Sequence, residues 1–148
     1  MLKIRIADIY DSEDIWKWRN DPHTRKMFAN TEIISWERHN KWFNLVSNSK
    51  EHIILIAHNE EMKIGMIRFD INNTNSAEVS LNFNPDARGK GFGSMALNKS
   101  IEFIINKNIN TITTRVRKEN TIALKVWKKS NFNILTEDAE YFYLKLSI

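Results

Sequence analysis

The chain has 148 residues, 42% of them hydrophobic, and a formal net charge of +4 at neutral pH. That length gives room for one domain around one core, here residues 1–148. There is no cysteine, which excludes disulfides, thiolate metal sites and a cysteine acyl-enzyme. No run of about 18 apolar residues is present that could span a bilayer. The opening segment Met1–Ile6 alternates like a strand and lacks the apolar stretch of a signal peptide, so the expected location is the cytoplasm. Mild positive charge suits an anionic small-molecule ligand. The basic residues are spread along the chain, which argues against nucleic acid as a partner. His23, His39, His52 and His58 lack ligand spacing, and no metal is expected.

In chain order, residues 2–7 read as a strand. Asp11 or Ser12 then caps a helix to about Arg19, with Ile15, Trp16 and Trp18 supplying apolar surface. Asn20-Asp21-Pro22 breaks it, because Pro22 disfavours helical backbone at Asp21. His23 to Ile34 has no clear period and reads as a loop with room for a short helical turn. Ser35 is an N-cap for a second helix to about Ser47, whose Trp36, His39, Trp42, Phe43 and Val46 form a broad aromatic face. Ile53–Ala57 and Lys63–Ile71 are strands about a turn at Asn59–Glu61. Asn72–Ser76 is a polar turn into a strand over about Ala77–Phe83. Leu97, Ile101, Ile104 and Ile105 mark one stripe of a helix over about Gly91–Lys107. Thr111–Val116 is β-branched and short, and as a strand after a helix it should run parallel to its predecessor. A helix over Asn120–Ser130 turns Ala123, Val126 and Trp127 inward, and strands at Phe132–Leu135 and Tyr141–Leu146 close the chain.

The chemistry-bearing stretch is Asp86-Ala-Arg-Gly-Lys-Gly-Phe-Gly-Ser94. The chain has four glycines, and Gly89, Gly91 and Gly93 all fall here, between a strand and a helix. Such a loop exposes unpaired N–H groups and the positive end of a helix dipole, with Arg88 and Lys90 beside them. That is an anion cradle suited to phosphate. The spacing fits neither the nucleoside-triphosphate loop nor the dinucleotide fingerprint.

Arg88-x-x-Gly91-x-Gly93 after a strand resembles the signature of the GNAT superfamily of acyl-CoA-dependent N-acetyltransferases. A second stretch, Asn120-x-x-Ala123-x-x-Val126-Trp127-x-Lys129-x-x-Phe132, resembles another pattern of that family, and the order of predicted elements covers the chain nearly end to end. The resemblance implies a mixed α/β (α+β) fold: a mostly antiparallel six- or seven-stranded sheet, splayed at a parallel pair after a bulge, with about four helices. It implies acetyl-CoA as cosubstrate and no metal. Leu81, Asn82 and Phe83 would offer main-chain groups to the pantetheine arm, and an N–H at or near Phe83 would polarise the thioester. Arg88, Gly89, Lys90, Gly91, Phe92, Gly93 and Ser94 would hold the pyrophosphate. Asn120 would bond to pantetheine or the acceptor side, and Trp127 would lie against the coenzyme.

Without cysteine, direct attack of the amine in a ternary complex is the expected route. An alkyl ammonium has a pKa of about 10.4 and must first lose its proton. Glu78 shares a strand face with Ser80 and Asn82 and is the first candidate base, with a surface carboxylate as the competing reading; His39 is the second. Trp127 stands where the family usually has a tyrosine that protonates the leaving thiolate, a role left to Tyr141, Tyr143 or water. Asn131 replaces the family's glycine and can still adopt a left-handed helix cap.

Trp18-Arg19-Asn20, His39-x-x-Trp42-Phe43 and Ile64-Gly-x-Ile67-Arg-Phe-Asp70 are similar to a narrower branch, the acetyltransferases of nucleotide-linked amino sugars such as the 4-amino sugar of the pseudaminic acid pathway. The resemblance makes Arg19, Arg25, Trp18, His39 and Arg68 acceptor-side candidates, with core packing the competing role for Trp18 and Trp42. The acceptor is then a small-molecule amine on a nucleotide-sugar. A ribosomal-protein-type N-terminal or polyamine acetyltransferase is the alternative, and a non-catalytic coenzyme A-binding module is the alternative of another class. A basic pocket favours the nucleotide-sugar and an acidic groove a peptide or polyamine. A homodimer is left open.

Overall fold

A computed structural model describes every residue except Thr74 and the side chain of Asn73, so the turn predicted over 72–76 falls partly outside the described residues. Seven strands form one sheet: β1 Lys3–Ile6, β2 His52–His58, β3 Lys63–Asn73, β4 Ser76–Phe83, β5 Thr111–Arg117, β6 Asn133–Glu137 and β7 Tyr141–Ser147, in the order β1-β2-β3-β4-β5-β7-β6. Every neighbouring pair is antiparallel except β4 with β5, as expected for two strands joined through a helix. The helices are α1 Ser12–Arg19, α2 Pro22–Met27, α3 Trp36–Ser47, α4 Phe92–Ile105 and α5 Thr121–Lys129.

Alternation along the strands builds two cores. Leu55, Ile67, Phe69, Ala77, Val79 and Ile112 face α4 and α5, where Leu97, Ile101, Ile104 and Trp127 complete a buried cluster. Ile54, Ile56 and Met66 face the other way and bury Ile15 and Trp18 of α1 with Phe43 and Val46 of α3. Ile105, placed on the buried stripe by its spacing, is exposed in the last turn of α4.

Local signals account for the helix ends. Ser35 caps α3 and accepts from the Arg38 amide at 3.3 Å, and Asn120 caps α5 by accepting from the Ala123 amide at 3.2 Å. Helix α5 ends in a Schellman motif: Asn131 takes φ = 70°, its amide donates to Lys128, and the Phe132 amide donates to Trp127. The hydrophobic contact of that motif is the edge-on pair of Trp127 and Phe132, with ring centroids 5.1 Å apart. Helix α2 is the short helical segment for which the loop expected after Pro22 left room. Pro22 ends one helix and starts the next, since at the first position its missing N–H costs nothing, and Asp21 caps it by accepting from the Thr24 amide at 3.1 Å.

The first turn of the fold is built on a buried charge. Asp11 is fully buried and binds Arg5 through two hydrogen bonds of 2.7 and 2.8 Å, the Asp8 amide at 2.8 Å and Lys63 at 2.8 Å. This carboxylate joins β1, the N-terminus of α1 and β3. Burial pushes its pKa up, but the bonds from Arg5, Lys63 and the Asp8 amide outweigh that and hold it well below the usual carboxylate range.

Candidate active site

Strands β4 and β5 pair only over Ser76–Glu78 and Thr111–Thr113, although β4 runs on to Phe83 and β5 to Arg117. The side chain of Thr114 closes the pairing by donating to the Val79 carbonyl at 2.9 Å. Beyond it the strands part. The expected bulge is not what separates them: β4 keeps unbroken register with β3 from Gly65↔Phe83 to Ile71↔Ala77. The free edge can be read from this register. The Asn84 amide donates to Ile64 at 2.9 Å, and hydrogen-bonded pairs alternate along an antiparallel ladder. Leu81 and Phe83 therefore direct their N–H and C=O groups away from β3, into the gap. Asn82 directs its main chain to β3 instead, and its buried side chain leaves Oδ1 without a partner.

The glycine loop lies at the mouth of this gap. Gly89 and Gly91 have φ of 75° and 78°, in the left-handed region, and a Cβ on either would meet nothing within 4 Å. Gly91 is the N-cap of α4 and supplies no side-chain cap. Among the described residues, no protein acceptor takes a hydrogen bond from the amides of Gly89 to Ser94, whereas the Arg88 amide donates to Pro85. These open amides, bare of side chains at both left-handed positions, fit a diphosphate. Gly93 serves another purpose, since a Cβ there would press on Val126 at 3.0 Å and approach the Phe83 ring.

Gly65 completes the pattern. A Cβ on it would collide with the ring of Phe83 and meet the Phe83 Cα at 2.9 Å and the Asn82 carbonyl at 3.0 Å. Two glycines thus let one aromatic residue lie across the head of the gap. Gly65→Ala is expected to cost about 1–3 kcal/mol of stability by overpacking. It should also lower acetyl transfer by moving Phe83, which thermal denaturation and a thiol-release assay would show together.

A cavity of about 810 Å³ runs from the loop through the gap to α1–α3. Leu81, Asn82, Phe83, Arg88, Gly89, Gly91, Phe92, Gly93, Asn120 and Trp127 line it, as do Glu78, Arg19, His39 and Arg68. Four expected site residues do not line that cavity, although the main-chain amides of two of them, Lys90 and Ser94, belong to the open run. Trp18 is buried against α3, because it shares a helix face with Ile15. Ser94 is buried in the first turn of α4, Lys90 is exposed, and Arg25 reaches the Thr31 carbonyl at 3.5 Å outside the cavity lining.

The cavity wall away from the glycine loop is a strap, residues 28–34, tied down by side chains. Trp16 Nε1 and Asn20 Nδ2 both donate to the Ile34 carbonyl, at 2.7 and 2.8 Å, and the Ile34 amide returns a bond to Asn20. Arg19 donates to Asn30 at 2.8 Å with its guanidinium 4.0 Å from the Phe28 ring centroid, and Arg117 of β5 donates to the Phe28 carbonyl at 2.9 Å. Burial and the neighbouring Arg25 lower the Arg19 pKa, and its Nη1 is buried without a partner. Sequence reasoning missed Arg115, Arg117 and Arg38 as cavity residues; the alternation Arg115-x-Arg117 on one strand face was the available signal.

His39 is buried in an aromatic stack with Trp36, Trp42 and Phe43, and its Nε2 donates to the Ser12 carbonyl at 2.8 Å. Burial lowers its pKa, which keeps the ring neutral. Arg68 lies over Trp42 and is held by Asp70 at 3.2 Å. The Tyr143 hydroxyl is committed to Asp138 at 2.6 Å, a bond that raises its pKa. Tyr141 lines the cavity between the guanidinium groups of Arg115 and Arg117, at 5.1 and 5.2 Å.

Residues 2–133 match the model of the acetyltransferase (GNAT) domain. The chain is a GNAT acetyltransferase. An acetyltransferase named PseH from Campylobacter jejuni is 33% identical over 150 aligned positions, covering 99% of this chain and 94% of that protein. The crystal structure of C. jejuni N-acetyltransferase PseH in complex with acetyl coenzyme A superposes with a TM-score of 0.77 at 25% identity, over 99% of both chains. The spermidine N-acetyltransferase of Vibrio cholerae, solved with CoA and spermine, shares the fold with a TM-score of 0.86 at 18% identity, over 99% of this acetyltransferase and 95% of that one. The acetyltransferase uses acetyl-CoA, and its open loop amides suit that cosubstrate. Among the described residues, no group of three or more His, Cys, Asp or Glu could hold a metal. No described helix is long and apolar enough to cross a membrane.

Proposed function

We propose that the acetyltransferase acts on a nucleotide-linked amino sugar, with the 4-amino group of a UDP-linked sugar as the acceptor. The charge of the cavity carries this reading. Among the described residues, Arg19, Arg38, Arg115 and Arg117 line it, as do Arg68 and Arg88, which are paired with Asp70 and Asp21, and Glu78 is the single lining carboxylate. Guanidinium groups match a diphosphate, whereas a polyamine would need carboxylates that this cavity lacks. The similarity to PseH supports the same choice.

Leu81 and Phe83 supply main-chain N–H groups at the parted edge of β4, suited to polarising a thioester carbonyl. Holding amine and thioester together supplies a large part of the acceleration. Glu78 accepts the ammonium proton, directly or through water, from its place on the cavity wall. Trp127 is buried against Phe132 and offers no usable acid. Tyr143 is occupied by Asp138, so Tyr141 or solvent returns the proton to sulfur.

The test is thiol release from acetyl-CoA with a UDP-4-amino sugar, spermidine and a short peptide offered in parallel. Turnover with the sugar nucleotide at the highest kcat/KM is expected; preference for spermidine or the peptide would replace this reading. Glu78→Gln should lower kcat by about 100-fold or more, as for loss of a general base, with acetyl-CoA affinity unchanged. Wild-type rates in that variant would take Glu78 out of the mechanism.

A further inference from the structure

Arg88 opens the coenzyme loop, yet its side chain points at the acceptor half. Its Nη2 donates to Asp21 Oδ2 at 2.7 Å and to the Thr24 hydroxyl oxygen at 2.6 Å. Asp21 is the N-cap of α2, and the same carboxylate oxygen also accepts from the Thr24 amide and hydroxyl, at 3.1 and 3.2 Å. One guanidinium thus grips both ends of a helix cap that lies 67 residues away in sequence.

Helix α2 needs such a grip. It spans six residues and buries none of them, so apolar packing does little to fix it. It nevertheless supplies His23, Thr24 and Met27 to the cavity wall and leads directly into the strap at Phe28. A second bond from the sheet to this wall, among the described residues, is that of Arg117 to the Phe28 carbonyl. Meanwhile the amides of Gly89 to Ser94 are open and need no help from Arg88 to meet a diphosphate.

We propose that Arg88 is a positioning residue: through Asp21 and Thr24 it ties helix α2 and the acceptor strap to the coenzyme loop, so that coenzyme binding stiffens the acceptor wall. This rests on the coenzyme reading of the loop, not on the identity of the acceptor. Coenzyme held on the amides immobilises the loop, and the Arg88 tether passes that restraint to α2. By reciprocity, an acceptor that orders α2 tightens coenzyme binding.

The experiment pairs titration of acetyl-CoA with amide hydrogen exchange in wild type, Arg88→Gln, Asp21→Asn, the double variant and Arg88→Lys. Wild type should slow exchange both at residues 89–95 and at residues 25–31 when acetyl-CoA is added. Arg88→Gln and Asp21→Asn should each keep the first effect and lose the second. The double variant should be no worse than Arg88→Gln, because that substitution already removes the contact to Asp21. Arg88→Lys should restore part of the α2 protection, since a lysine can reach the same two oxygens. Acetyl-CoA Kd should change less than about threefold in Asp21→Asn, as expected when the main-chain amides hold the phosphates.

A tenfold or greater loss of acetyl-CoA affinity in Arg88→Gln with none in Asp21→Asn would make Arg88 a phosphate ligand and overturn the tether. Unchanged exchange at residues 25–31 in wild type with acetyl-CoA bound would overturn it as well. Failure of wild type to bind acetyl-CoA at all would instead remove the coenzyme reading on which the tether stands.

Discussion

Gly91→Glu abolishes measurable acetyl-CoA binding by an otherwise folded protein: a loss of at least about 100-fold in Kd, or about 3 kcal/mol, is expected. Gly91 is the N-cap of α4 at φ = 78°, within the run of open amides. A carboxylate on this residue enters the same positive field that a diphosphate would use, and satisfies some of the same amides. The fold tolerates the change, because a Cβ meets no atom within 4 Å and a negative charge suits a helix N-terminus. The backbone cost is about 1–2 kcal/mol for a side chain in the left-handed region. Gly91→Ala carries that cost without the charge and should keep most of the affinity, which separates the two effects. Isothermal titration of both variants, with circular dichroism as the folding control, decides it. Unchanged affinity in folded Gly91→Glu would mean that the diphosphate lies elsewhere.

The second large effect is on stability. Asp11→Asn removes the charge that Arg5 and Lys63 share and leaves two cations facing a neutral amide. Breaking a buried ion pair costs about 3–5 kcal/mol, and the low end applies here because solvent screens the partners. Arg5 and Lys63 keep 36% and 30% of their side-chain surface, whereas Asp11 keeps 1%. For a chain of this length that is a fall in Tm of about 10 °C. The pH dependence has a definite sign. The folded-state pKa of Asp11 is depressed, so its contribution is fully present above the unfolded carboxylate value of about 3.9 and is lost as pH falls below it toward the folded value. Wild type should therefore lose more stability than Asp11→Asn between about pH 5 and pH 2. Parallel acid-denaturation curves would contradict this assignment.

Signals that act within a few residues were readable from the sequence. The alternation of Val79, Leu81 and Phe83, the three clustered glycines and the stripe of Leu97, Ile101 and Ile104 located a strand, a glycine loop and a helix in the right order. Asn131 was recognisable as the left-handed cap of α5 for the same reason. Helix α2 was foreseen only as an unplaced helical turn because six residues carry no usable period, although Asp21-Pro22 is the cap and first position of a helix.

Partners across the sheet were beyond reach. Whether a tryptophan packs or lines a cavity depends on which neighbour its helix face meets, and Trp18 met Phe43 and Val46 of α3. Asp11 found Lys63, and Arg88 found Asp21, through strand register and helix placement. The role of Gly65 rests on its register with Phe83 on the next strand.

By itself, then, the order of residues determined a strand–loop–helix whose open amides suit a diphosphate, the caps at Ser35 and Asn131 and the family to which they belong. The three-dimensional fold alone decided the charge of the cavity, the register that turns the Leu81 and Phe83 main chain into the gap and the bond from Arg88 to Asp21. The reason is physical: helix periods and caps act over a turn or two of chain, whereas a side chain's electrostatic partners are set by which strands and helices pack together.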